Sequence, residues 1–152
     1  MALRTLVVDD SALYRRVLAD ALASLPDVEV VGSASNGRLA VQRVKELQPD
    51  LVTLDIEMPE MGGLEVLDAL RSAGERAHVI VVSALTRRGG DLTVRALEKG
   101  AFDFVTKPEA SSPEASRAKL VGELGPKVRA LVNRAEVRAI LRRGPAPAAA
   151  PA

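Results

Sequence analysis

Five short apolar runs alternate with segments of helical period, and no other feature of this chain restricts its fold so tightly. The runs cover residues 3–8, 28–31, 51–54, 79–82 and 102–105, each too brief for a core helix. Those at 51–54 and 79–82 are rich enough in Val, Ile and Leu to be covered on both faces, as strands of a parallel sheet are. Between them lie 11–25, 36–47, 64–71 and 91–99. In the first, Leu13, Val17 and Ala21 recur at i, i+4 beside Leu18, Leu22 and Leu25; in the second, Leu39, Val41, Val44 and Leu47 share a face. Ser11 and Asn36 are residue types that cap helix starts, while Pro26, Pro49 and Gly100 punctuate helix ends. A repeating βα order predicts an α/β domain: a doubly wound parallel sheet with helices on both faces.

Ser112, Pro113 and Glu114 offer a cap, a first-turn proline and a first-turn acid, opening a helical region over 112–141. Gly122, Gly125 and Pro126 interrupt it, and a proline lacks the amide that a helix interior needs, so two helical pieces are expected. Residues 144–152 are an Ala/Pro run that cannot bury a core and reads as a linker. The expected division is one domain over 1–143 and a linker over 144–152.

A chain of 152 residues can bury a core without disulfides or structural metal. The absence of cysteine and the single histidine, His78, exclude thiolate catalysis, zinc clusters and disulfide frameworks, and suggest a reducing, cytoplasmic setting. No apolar run approaches the ~20 residues needed to cross a bilayer, so membrane insertion is not expected. The net charge of +1 conceals an asymmetry: residues 1–110 carry 13 Lys/Arg against 17 Asp/Glu, and residues 111–152 carry 8 against 3. A basic helical tail can mark a nucleic-acid surface, but with no aromatic residue beyond Phe104 to stack bases it reads as a solvated face.

Ligands of open parallel sheets bind outside the carboxyl ends of the strands. Asp9 and Asp10 close the first strand, Asp55 the third and Ser83 the fourth, and Lys107 follows the fifth. Taken singly, each has an ordinary reading: Asp10 or Asp55 as a helix cap, Ser83 as a turn residue, Lys107 as a solvated lysine before Pro108. Together they place three carboxylates, a hydroxyl and an ammonium at one end of one sheet. Three carboxylates in one crevice repel and call for a cation, and an all-oxygen site suits Mg2+ better than a fully caged Ca2+.

Four segments carry a resemblance: Val7-Val8-Asp9-Asp10-Ser11; Leu54-Asp55-Ile56-Glu57-Met58-Pro59-Glu60-Met61-Gly62-Gly63-Leu64; Val81-Val82-Ser83-Ala84; and Asp103-Phe104-Val105-Thr106-Lys107-Pro108. Over about residues 3–141 the chain resembles the receiver domains of two-component response regulators. The resemblance implies a flavodoxin-like strand order 2-1-3-4-5. It implies that Asp55 accepts a phosphoryl group from a histidine kinase and that Mg2+ is held by Asp9, Asp10, Asp55 and the backbone carbonyl of Glu57. Ser83 and Lys107 would bind the phosphoryl group, and Ser83 with Phe104 would form the switch. A cis Lys107–Pro108 peptide is also implied. Two departures stand out: Gly62 replaces a frequent aspartate, and Phe104 replaces a frequent tyrosine, so an inward ring has no hydroxyl to donate.

Further segments, among them Val30-Val31-Gly32-Ser33-Ala34-Ser35-Asn36-Gly37 and Ser83-Ala84-Leu85-Thr86-Arg87-Arg88-Gly89-Gly90-Asp91, look like the receiver half of chemotaxis protein-glutamate methylesterases. In that family a linker and an esterase domain follow, and no Gly-x-Ser-x-Gly motif of such a domain is present here. The expectation is therefore a non-enzymatic regulatory domain controlling a methylesterase domain, or a stand-alone regulator. A haloacid-dehalogenase-like phosphatase also forms an aspartyl phosphate, but its nucleophile follows the first strand with a second aspartate two residues on. Here Asp55 is on the third strand and residue 57 is Glu.

Overall fold

The computed structural model describes residues 2–143. In chain order the elements are β1 (Leu3–Val8), α1 (Ala12–Ala23), β2 (Val28–Ala34), α2 (Gly37–Leu47), β3 (Leu51–Asp55), α3 (Gly63–Ser72), β4 (His78–Ser83), α4 (Arg87–Glu98), β5 (Asp103–Thr106) and α5 (Pro113–Arg143). The strands form one parallel sheet in the order β2-β1-β3-β4-β5. Strand order, parallel pairing and two-sided helix cover are as expected; the linker expected over 144–152 lies outside the described residues.

The sheet divides the core in two. On one face Leu6, Val8, Val52, Leu54, Val79 and Val81 pack beneath α2, α3 and α4. On the other Leu3, Val7, Leu51, Ile80, Val82 and Val105 meet Leu18 and Leu22 of α1 and Leu120, Leu124 and Leu131 of α5. Alternation along β3 and β4 explains their unbroken apolar runs, because each face has its own cover. Helix starts follow local chemistry: the Ser11 hydroxyl accepts from the Tyr14 N–H at 3.2 Å, and Asn36 Oδ1 accepts from the Leu39 N–H at 2.9 Å.

Four expectations need correction. Leu13 does not join the buried stripe of α1; it is 58% exposed, because the first turn of α1 stands beyond the strand ends. The helix expected over 91–99 begins at Arg87, where the Thr86 hydroxyl accepts from the Gly89 N–H at 2.9 Å. The two helical pieces expected near Pro126 are one helix. Proline inside a helix costs about 3 kcal/mol, whereas burying Leu120, Leu124, Val128 and Leu131 on the sheet contributes about 1.5–3 kcal/mol for each, so packing outweighs the lost bond. Finally, the Lys107–Pro108 peptide is trans. That segment is held by the Lys107 N–H donating to Ser83 O at 2.8 Å and by Pro108 O accepting from the Tyr14 hydroxyl at 3.0 Å.

One glycine governs how closely α3 approaches the end of β3. A Cβ on Gly63 would lie 2.7 Å from the Ile56 Cα and 2.8 Å from the Asp55 carbonyl oxygen, both backbone atoms that cannot swing aside. Gly63→Ala is expected to lower stability by about 1–3 kcal/mol, read from the urea midpoint. An unchanged midpoint would show that α3 can retreat freely.

Candidate functional site

The carboxyl ends of β1, β3, β4 and β5 converge on one crevice. Asp9 follows the last residue of β1 and is fully buried, and Asp55 is the last residue of β3 and 3% exposed, whereas Asp10 is solvent-facing. One carboxylate oxygen from each of the three lies within 4.8 Å of the others. Ser83, last in β4, is buried beside them in the sheet order. Lys107, just past β5, reaches back so that its Nζ is 3.1 Å from Asp9 Oδ2 and 3.2 Å from Asp55 Oδ2. The five residues expected to converge do so.

Backbone amides hold the two buried acids. The Ser11 N–H donates to Asp9 Oδ1 at 2.9 Å, and the Glu57 N–H donates to Asp55 Oδ1 at 3.2 Å. Gly62 caps α3 without a side-chain hydrogen bond, which an aspartate at that position could supply. Phe104 sits on β5 with its ring outward, 39% exposed, and the Lys127 ammonium lies 5.4 Å from its centroid. His78 is the first residue of β4, at the opposite end of the sheet, half-buried and edge-on to Phe102 at 5.9 Å. Burial and the nearby Arg138, Arg134 and Arg71 hold its imidazole below the usual range.

The electrostatics of the crevice are unbalanced. Burial first, and the Asp9 carboxylate second, push the Asp55 carboxyl up to about 7, with Lys107 opposing them. Burial would lower the Lys107 ammonium, but Asp55 and Asp9 outweigh it and raise its pKa. Asp9 Oδ2 is buried without a hydrogen bond; its 3.1 Å approach to Lys107 is an ion pair lacking hydrogen-bond alignment. Three hard oxygen donors, one of them an orphaned buried oxygen, against a single ammonium fit a divalent cation that keeps waters, as Mg2+ does. Neutralising one acid should therefore relieve the metal-free chain. Asp55→Asn leaves the Asp9–Lys107 pair in place and is expected to raise stability at pH 8 by about 1–2 kcal/mol, with the gain shrinking when Mg2+ is added. A lower urea midpoint for the metal-free variant would show that Asp55 is adequately neutralised by Lys107 alone.

Two residues close to the site carry no sequence signal that would have marked them. Arg15 Nη1 donates to the Asp9 carbonyl oxygen at 2.8 Å, and the Lys107 ammonium lies 4.6 Å from the centroid of the Tyr14 ring. Both sit in α1 as ordinary helical positions, and only the fold brings them to the crevice.

Comparisons with known proteins agree with this geometry. Residues 5–117 match the family model described as the response regulator receiver domain. Relatives called protein-glutamate methylesterase/protein-glutamine glutaminase include one from Desulfotalea psychrophila, 45% identical over 122 residues, 80% of this chain and 34% of the relative. Another, from a Nocardioides species, is 47% identical over 133 residues, 87% of this chain and 36% of the relative. The chain thus spans about a third of the length of these relatives. Among solved structures, the response regulator domain of Thermotoga maritima CheB superposes with a TM-score of 0.77 at 44% identity, covering 88% of this chain and 98% of that one. The CheX-CheY-BeF3-Mg+2 complex from Borrelia burgdorferi superposes at 0.66 with 32% identity, covering 80% of this chain and 86% of that one.

Proposed function

This chain belongs to the response regulator receiver domain family, its relatives being of the methylesterase type, and from that premise we propose that Asp55 is its phosphoacceptor. The observation that carries the reading is the buried Asp55 carboxylate, ion-paired to Lys107 at 3.2 Å and clustered with Asp9 and Asp10 at the mouth of the sheet. An oxygen of Asp55 attacks the phosphorus of a kinase phosphohistidine; the P–O bond forms as the P–N bond breaks, and the imidazole leaves with the bonding electron pair. Lys107 follows the charge from the carboxylate onto a phosphoryl oxygen, and the Ser83 hydroxyl donates to another. Asp9, Asp10, Asp55 and the Glu57 carbonyl would hold Mg2+, which neutralises charge on the transferring group when bound.

The receiver comprises residues 1–143, followed by a linker, and the chain itself is no hydrolase. Its only imidazole, that of His78, stands at the far end of the sheet from every carboxylate of the site. Its chemistry fits a cytoplasmic regulator that meets a histidine kinase and, in a longer protein, controls a methylesterase domain. Intact-mass spectrometry with acetyl phosphate and Mg2+ tests the acceptor: one phosphoryl adduct lost on Asp55 substitution supports it, and an adduct that survives sinks it.

The output surface follows from the same residues. A phosphoryl group on Asp55 draws the Ser83 hydroxyl inward and frees space for the Phe104 ring, which now faces solvent. Beryllofluoride should therefore shift amide resonances along α4, β5 and α5 in an NMR titration. Changes confined to the loop after Asp55 would rule this switch out.

A further inference from the structure

Lys107 has a long flexible stem, yet the reaction requires its ammonium to stay over the crevice while the charge it pairs with moves from a carboxylate to a phosphoryl oxygen. Asp9 and Asp55 attract the ammonium from within the crevice. Tyr14 supplies a contact from another element, with the ring centroid 4.6 Å from Nζ, inside the range of a cation–π interaction. The residue is itself fixed at two points. Its backbone N–H donates to the Ser11 cap at 3.2 Å, and its hydroxyl donates to Pro108 O at 3.0 Å, the residue immediately after Lys107. Burial raises the phenol pKa, against the opposing pull of Lys107 and Ser116, so the hydroxyl remains a protonated donor at neutral pH.

We propose that Tyr14 is a positioning residue for Lys107, its ring steadying the ammonium and its hydroxyl tying the start of the β5–α5 loop to α1. The proposal rests on the reading of Asp55 as phosphoacceptor. An aliphatic side chain would fill much of the same volume but offer no π face to the cation, which separates positioning from packing.

The test compares Tyr14→Leu and Tyr14→Phe in the full chain by the initial rate of Asp55 labelling with acetyl phosphate and Mg2+. Tyr14→Leu should slow labelling about 3- to 20-fold, and Tyr14→Phe, which keeps the ring, should recover most of that loss. In a Lys107→Ala background the Leu substitution should slow labelling no further, because Tyr14 acts through Lys107. The Lys107 side-chain NMR signals should lose their ring-current shift in Tyr14→Leu and keep it in Tyr14→Phe. A purely structural role would lower the urea midpoint and slow labelling as much without Lys107 as with it. The proposal falls if Tyr14→Leu labels at the parental rate, or if its effect persists undiminished without Lys107. Should the parent chain take no phosphoryl group on Asp55, the acceptor reading fails instead, and NMR relaxation of the Lys107 side chain still decides whether Tyr14 holds the lysine: greater mobility in Tyr14→Leu than in Tyr14→Phe supports it and equal mobility overturns it.

Discussion

Asp55→Asn should take up no phosphoryl group from acetyl phosphate under conditions that label the parent chain. The substituted side chain would keep the shape of the original and can still accept the Glu57 N–H, but a neutral amide is no nucleophile toward phosphorus. In comparable covalent catalysts, removing the nucleophile costs on the order of 10⁶-fold, far below what mass spectrometry detects. Misfolding is not a rival explanation, because relief of the charge imbalance is expected to make the metal-free variant more stable than its parent. The decisive measurement is intact mass with peptide mapping. A surviving adduct on a different residue would remove Asp55 from the chemistry.

Chelation of Mg2+ should abolish labelling of the parent chain almost as completely, and Asp10→Ala should imitate chelation. With no cation, an incoming phosphoryl donor meets the carboxylates of Asp9, Asp10 and Asp55 opposed by one ammonium, Lys107. Losing one preorganised electrostatic contact in a site of this kind costs about 10²–10³-fold in rate, and that is the size of slowing expected for Asp10→Ala. Asp10 is exposed, so the substitution should change stability by no more than about 0.5 kcal/mol. Labelling at the parental rate in EDTA would overturn the metal assignment, and parental labelling by Asp10→Ala would remove Asp10 from it.

The central strands were legible because β1, β3 and β4 are buried on both faces and so show their apolar character with little interruption; β3 and β4 were expected within one residue at either end. The acid cluster was legible because parallel topology sends every strand end the same way. What the chain did not disclose was decided by packing. Pro126 reads as a break until Leu124 and Val128 are seen buried on either side of it. Arg87 to Gly90 reads as a loop, yet Gly89 lets the start of α4 lie against the Ala84 carbonyl oxygen, where a Cβ would collide. Leu13 looks like core because a helix stripe carries no record of where the sheet ends. Tyr14 reveals itself only through a lysine 93 positions away in the chain.

The length of α5 has a mechanical consequence. It starts at Pro113, a few residues after Lys107, and its 31 residues make a rod of about 46 Å. The longest strand, with 7 residues, spans only about 23 Å. The helix is pinned to the sheet through Leu120, Leu124, Val128 and Leu131, and its remaining turns pass Arg134 and project beyond. It therefore works as a lever whose fulcrum is the core contact. A tilt of about 5° about that contact would carry the far end, about 26 Å away, through about 2 Å. A displacement beside Lys107 is thus delivered, reversed in direction and slightly enlarged, at the other pole of the molecule.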